Sequence, residues 1–395
     1  MMYNEYINLF WLERDIMNEI YFDNAATTQV CDEAVQAAIQ AMTATYGNPS
    51  SLHRMGLDAE NTVNRARKIL AGALGCQPGE LTFTSGATES NNLAVFGAVK
   101  AYRRSGNKIV TTSVEHPSVA GPVAELEQQG FEVVRISPDA TGHFQAQDFE
   151  DAVDENTLLV TLMHVNNETG MKLPIEQIAQ RVKRKNPGVI LHVDAVQSFC
   201  KISFKLSKTP VDLMSVSGHK IYAPKGIGAL FVRKGVRVLP QVFGGGQERG
   251  LRSGTESVPL IAAFGASVDK FSTNISKNRL LYVRLNEHLR ELLSEIPDVT
   301  VNSPEDGVEY ILNFSVAGIR SEIMLHFLES RGIYVSSGSA CSKGARSGVL
   351  GAMGLPAERI DTAIRVSFGY TNTDRQVRQF VQVLQEGINT LVKQK

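Results

Sequence analysis

The chain has 395 residues, 43% hydrophobic and 21% charged, which is the make-up of a soluble globular protein with one large domain plus a smaller one, or two of middling size. Its formal net charge of −1 provides no general field for nucleic acid or an anionic membrane, and the short basic runs at 181–185 and 233–237 read as solvated helix faces or strand ends. Four scattered cysteines, Cys31, Cys76, Cys200 and Cys341, form no C-x-x-C pair; this speaks against a zinc site or a disulfide framework and for a reduced, cytoplasmic setting. No apolar run reaches the length of a membrane span, since the longest candidate is broken by Pro259, Gly265 and Ser267.

In chain order, residues 1–16 precede a second methionine, Met17, and fit either an upstream-start extension or an N-terminal helix. From residue 108 the pattern alternates between strand and helix. Strands are expected at 108–113, 132–136, 158–164, 189–193, 213–217 and 228–232, with helices at 117–129 and 175–185. Most of these strands are short Val/Ile/Leu-rich runs, as strands covered on both faces require, so the pattern predicts an α/β domain with a mostly parallel sheet. After residue 270, Leu281, Leu285, Leu289, Leu292 and Ile296 recur at three- and four-residue steps and predict a long amphipathic helix. Strands near 310–315 and 332–336 and helices at 322–330 and 374–392 complete a smaller α+β domain. The expected division is a large domain at 32–270 and a small domain made of 17–31 and 271–395.

Open α/β sheets bind ligands beyond the carboxyl ends of their strands. Four of the expected strands are followed there by Glu115-His116, Asn166-Asn167-Glu168, Asp194 with Gln197, and Ser217-Gly218-His219-Lys220. A lysine in a strand-end crevice can lose its proton and form a Schiff base with an aldehyde. An acid one strand away, Asp194, can keep a pyridine nitrogen protonated, so the pair points to pyridoxal 5′-phosphate (PLP). Thr84-Ser85-Gly86-Ala87-Thr88 opens an apolar helix and could hold a phosphate on its backbone N–H groups, and Arg252-Ser253-Gly254-Thr255 is a second small, hydroxyl-bearing stretch. His116 is expected as ring-stacking partner and proton shuttle, and His219 as a phosphate ligand. His164 and His192 fall within strands and read as packing residues. Cys341 sits in a Ser/Gly-rich segment near Lys343 and Arg346, cations that favour the thiolate. Arg365 fits either a carboxylate clamp or an internal salt bridge.

Together these features resemble the cysteine desulfurases of the nitrogen-fixation and iron–sulfur-cluster type, within the class-V aminotransferase family of PLP enzymes. The motifs that carry the resemblance run from Tyr21-Phe22-Asp23-Asn24-Ala25-Ala26-Thr27-Thr28 through Gly86-Ala87-Thr88-Glu89-Ser90-Asn91-Asn92, Asn166-Asn167-Glu168, His192-Val193-Asp194-Ala195-Val196-Gln197 and Ser217-Gly218-His219-Lys220 to Ser339-Ala340-Cys341. The resemblance implies fold type I, with a mostly parallel seven-stranded sheet in the large domain and the catalytic cysteine on the small one. It implies that Lys220 holds PLP and that His116 stacks on its ring. Asp194 would pair with the pyridine nitrogen and Gln197 with the ring oxygen. Ala87, Thr88, Ser217 and His219 would bind the phosphate, joined by Thr255 of a neighbouring subunit in a homodimer. Asn167 and Arg365 would hold the carboxylate of L-cysteine. The product would be alanine, with sulfur carried as a persulfide on Cys341 to an acceptor protein, an iron–sulfur scaffold or a thiolation enzyme. The segment 342–349 is shorter than in long-loop members, and the chain ends soon after its last helix, so the acceptor stays open. A class-V aminotransferase, a selenocysteine lyase and a non-catalytic sulfur-relay subunit are the rival readings. Cys341 separates the first, and Lys220, Asp194 and Cys341 together the last.

Overall fold

The computed structural model describes residues 19–337 and 346–392. The leader at 1–16 and Cys341 lie outside the described residues. The chain enters as a short strand, β1 (Ile20–Tyr21), followed by helices Asp32–Thr43 and Arg54–Leu74. The large sheet is built from β2 (Leu81–Thr84), β3 (Lys108–Thr112), β4 (Glu132–Ile136), β5 (Thr157–Met163), β6 (Ile190–Asp194), β7 (Leu213–Ser217) and β8 (Gly228–Val232). Its order is β2-β8-β7-β6-β5-β3-β4. Strands β3 to β7 pair in parallel, whereas β8 runs antiparallel to both β7 and β2. Every residue of β3, β5, β6 and β7 is buried, because helices cover both faces of the sheet.

The six large-sheet strands read from sequence are present, three with the same bounds and three with ends moved by one residue. The seventh, β2, is four residues long and alternates Thr with Leu and Phe, too short for periodicity to detect. Helix Ile175–Lys185 has the bounds that the sequence predicts: Ile178, Ala179 and Val182 face the core, and Lys183, Arg184 and Lys185 complement the negative end of its dipole.

The remaining strands form two small sheets. β9 (Val299–Val301), β10 (Ile311–Val316) and β12 (Ala363–Ser367) pair antiparallel in the order β12-β10-β9, and β1 pairs in parallel with β11 (Ile333–Tyr334). The amphipathic helix extends over Ile275–Ser294, so Ile296 lies just past its end yet stays buried. Helices Ser321–Glu329 and Asp374–Thr390 pack on the same core. Phe22, from the N-terminal segment, contacts Phe368 and Phe380 edge-on at centroid distances of 5.5 and 5.8 Å. The first described residues therefore share a core with the last helix, and the following stretch, 23–28, is led across the carboxyl ends of the large sheet.

A buried ion pair fixes the edge of that sheet. Arg67 makes two bonds to Glu248, at 2.6 and 2.9 Å, and Glu248 also accepts the Phe83 N–H at 3.0 Å. Glu248 and Arg249 both hold left-handed backbone (φ 49° and 57°), a conformation that non-glycine residues adopt only where the surroundings impose it. Glu248→Ala would strand the Arg67 guanidinium in the interior. We expect a stability loss of about 3–5 kcal/mol, measured by urea unfolding; a loss under about 1 kcal/mol would show that the pair does not anchor β2.

Candidate active site

The carboxyl ends of the parallel strands open into a cavity of about 740 Å³. Its walls carry Ala87, Thr88, His116, Asn167, Asp194, Gln197, Ser217, His219, Lys220 and Arg365, so most of the residues that the sequence nominates meet in one place. Thr255 does not. It lies beside a separate pocket of about 350 Å³, with Met42 and Tyr46.

Lys220 follows β7 in a single tight turn, Gly218–Lys220. Its Nζ donates to the carbonyls of Ala25 and Ala26, at 2.7 and 2.6 Å. These come from the segment that crosses the sheet, which is held down by Thr28: its N–H and hydroxyl both donate to the His219 carbonyl, at 2.9 and 3.0 Å.

Asp194 is the last residue of β6 and is buried. Its carboxylate accepts from the Val196 N–H at 3.0 Å and from Asn91 Nδ2 at 2.8 Å. Burial pushes its pKa above the ordinary carboxylate value, opposed by these hydrogen bonds and by His116 and Lys220 nearby. Gln197 Nε2 donates to the Ala25 carbonyl at 2.9 Å, which leaves its Oε1 buried without a partner.

His116 caps helix Pro117–Gln128, with Nδ1 accepting the Ser118 N–H at 3.1 Å and lying 2.8 Å from Ser118 Oγ. Burial lowers its pKa, Asp194 opposes this and Lys220 adds to it. His219 is held at about 4 by burial and by Lys220, Lys225 and Lys201, so it is a neutral hydrogen-bonding group at pH 7.

The phosphate-like cradle is the start of helix Ala87–Tyr102, with Gly86 at φ 153° as its N-cap. A Cβ on Gly228 would fall 2.8 Å from Gly86 Cα and 2.7 Å from the Val216 carbonyl, so only glycine lets β8 approach this turn. The open helix N-terminus presents unpaired N–H groups and the positive end of a dipole. Glu89 in its first turn is neutralised by Arg252 at 2.8 Å and also takes the Ser85 N–H at 2.5 Å.

Arg365, on β12, satisfies the internal-salt-bridge alternative: Nη2 lies 2.6 Å from Asp23, and Nη1 donates to the Asn167 carbonyl at 2.8 Å. Its Nε is buried and has no partner. His192 is a packing residue between Thr161 and Ser215, at 2.8 and 3.0 Å. His164 lies just past β5 and stacks edge-on against Phe204.

Sequence reasoning assigned no role to several groups here. Asn91 and Ser118 bridge Asp194 and His116. Glu168, pushed to about 7 mainly by burial, bonds Ser347 Oγ at 2.5 Å. Glu115, pushed to about 8 by burial, accepts from Thr112 and the Met163 N–H. Asn91, Glu115 and Glu168 carried a signal, through their places in the quoted motifs.

The residues fit PLP. A buried carboxylate whose hydrogen-bond partners are two neutral donors suits a pyridinium N–H, and the helix N-terminus suits a phosphate. Gln197 Nε2 carries a second hydrogen beyond the one given to the Ala25 carbonyl, which suits a donor to the ring oxygen.

The aminotransferase class-V family model matches residues 20–380. A cysteine desulfurase of Trichormus azollae is 42% identical over 381 residues, covering 95% of this chain and 94% of that protein. A solved NifS-like protein superposes with a TM-score of 0.90 at 36% identity, covering 94% of this chain and all of that one. A second structure, titled as SspA in complex with cysteine, gives a TM-score of 0.78 at 34% identity, covering 90% of this chain and 100% of that one. The chain therefore belongs to the class-V aminotransferase family of PLP-dependent, fold-type-I enzymes.

Proposed function

We propose that this protein is a cysteine desulfurase, which converts L-cysteine to L-alanine and carries the sulfur as a persulfide on Cys341. The observation that carries the reading is the convergence of Lys220, Asp194 and Arg365 on one cavity that opens beside the residues flanking Cys341. The relatives named as cysteine desulfurases and the neighbour solved with cysteine support it.

Bound PLP would supply an electron sink that acidifies the Cα–H of an attached amino acid. Lys220 would hold the cofactor and, once released by substrate, accept the Cα proton. Asp194 would keep the pyridine nitrogen protonated, Gln197 would face the ring oxygen, and His116 would lie against the ring. Ala87, Thr88, Ser217 and His219 would hold the phosphate. Asn167 and Arg365 would hold the substrate carboxylate, with Arg365 Nε a buried guanidinium donor that has no partner. The Cys341 thiolate would attack the substrate sulfur: the S–S bond forms, the Cβ–S bond breaks, Cβ takes a proton, and alanine leaves. Arg365→Ala should raise KM for L-cysteine about tenfold to a hundredfold with cofactor absorbance retained; an unchanged KM would leave Arg365 only its internal bonds to Asp23 and the Asn167 carbonyl.

We propose a homodimer with Thr255 completing the partner's phosphate site. Val35, Ile39 and Met42 recur at helical spacing on helix Asp32–Thr43 and are exposed, as are Tyr46, Leu52 and Phe243, apolar surface that suits a second copy. The two-domain division at 32–270, with 17–31 and 271–395 as the small domain, is supported by the apolar core that Ile20 and Phe22 share with Leu285, Phe314 and Phe380, although Val349, Leu350 and Met353 pack into the large domain's core and Val165 into the small one's. A cytoplasmic setting agrees with Cys31, Cys76 and Cys200 being unpaired. Among the described residues no helix is long and apolar enough to cross a membrane. The sulfur acceptor is proposed to be an iron–sulfur scaffold or a thiolation enzyme.

Peptide mass spectrometry after one turnover without reductant tests the sulfur path. The reading expects the peptide bearing Cys341 to gain one sulfur atom. Alanine formed with no added sulfur on that peptide would overturn it.

A further inference from the structure

Asn91, Ser118 and His116 form a buried chain whose donors can be counted. Asn91 Nδ2 has two hydrogens. One goes to Asp194 Oδ2 and the other to Ser118 Oγ, both at 2.8 Å. The opposite orientation of the amide would set its oxygen against the Asp194 carboxylate, so the negative charge fixes it. Ser118 Oγ thus accepts from Asn91, and its own hydrogen is left for His116 Nδ1 at 2.8 Å. The Ser118 backbone N–H points at the same Nδ1, at 3.1 Å. A ring nitrogen facing two donors carries no proton, so the proton sits on Nε2.

We infer that Asn91 and Ser118 are positioning residues that hold His116 as a neutral ring protonated on Nε2, a fixed hydrogen-bond donor and not a proton shuttle. In this tautomer the only lone pair able to take a proton is on Nδ1, and using it breaks the hydrogen bond from the Ser118 N–H and forces the Ser118 hydroxyl to give up its donor role. The chain conducts no proton onward, because an amide N–H does not ionise near neutral pH. The charged and titratable groups that act on His116 are Asp194 from β6 and Lys220 and His219 from the turn after β7. Burial and Lys220 disfavour the imidazolium, in line with the hydrogen-bond count, whereas Asp194 opposes them. The same Asn91 amide braces Asp194, so the group expected to meet the pyridine nitrogen and the group expected to lie on the ring are tied to one side chain.

The inference rests on the proposed function only in that His116 faces the cofactor. It is tested by ¹⁵N NMR of histidine-labelled holoenzyme, with the His116 signals assigned by their loss in His116→Gln. The expected pattern is one protonated nitrogen, Nε2, and one bare nitrogen, Nδ1, unchanged from about pH 8 down to about pH 6. Ser118→Ala removes one donor and should move the onset of titration up by on the order of one pH unit. Ser118→Thr keeps the hydroxyl and should restore the parent pattern. An imidazolium or an Nδ1–H signal at pH 7 in the parent would overturn the inference, as would a Ser118→Ala spectrum identical to the parent's. The readout needs no turnover: the expected signals in a protein that forms no alanine would sink the desulfurase reading and leave this one standing.

Discussion

Replacing Lys220 by alanine should abolish alanine formation from L-cysteine, a loss of about 10³-fold or more, and remove the visible absorbance of lysine-bound cofactor. Lys220 leaves β7 in one turn and directs its Nζ to the carbonyls of Ala25 and Ala26 on the cavity wall, with Asp194 and His219 close by. A single amine there would perform two tasks, holding the cofactor and taking the Cα proton, and general-base catalysis alone contributes about 10²–10⁴-fold. Absorbance spectra and alanine assays of the purified variant measure both. Turnover within tenfold of the parent would remove Lys220 from the centre of the mechanism.

Cys341→Ala should have an effect of the same size on alanine formation, about 10³-fold, with a different signature. The variant should keep the cofactor absorbance and still exchange the Cα hydrogen of L-cysteine with solvent deuterium, because Lys220 is untouched. Cys341 itself is not among the described residues, but both flanks of its segment are fixed beside the cavity. Ser336 exchanges two backbone hydrogen bonds with Arg365, at 3.1 and 2.6 Å. On the other side Arg346, Gly348 and Val349 line the cavity, and Ser347 bonds Glu168. Five peptide steps from Ser336 to Cys341 allow a reach of up to about 17 Å. Normal alanine production by this variant would refute the proposed sulfur path.

The parts of the site legible in the sequence are those written in short stretches at strand ends. Asp194 and Lys220 stand out because each follows a short apolar run of strand length, and the cradle because Ser85-Gly86-Ala87-Thr88 opens a helix. What was not legible depends on contacts between residues far apart in the chain. Ala25 and Ala26 act on Lys220 through backbone carbonyls, which no side chain advertises. Asn91 meets Asp194 across 103 positions, and Glu168 meets Ser347 across 179. Arg365 was ambiguous for a physical reason: its fork has enough donors to serve Asp23 and the Asn167 carbonyl and still leave Nε unpaired. The edge strand β2 escaped because four residues hold too little periodicity, although the buried Arg67–Glu248 pair shows how firmly it is held.

Alanine and sulfide release from L-cysteine by the purified holoenzyme, with excess dithiothreitol as sulfur acceptor, tests the account most directly. Equal amounts of the two products, both dependent on Cys341, are the predicted result. Formation of a keto acid in place of alanine, or neither product from protein that has bound PLP, would contradict it.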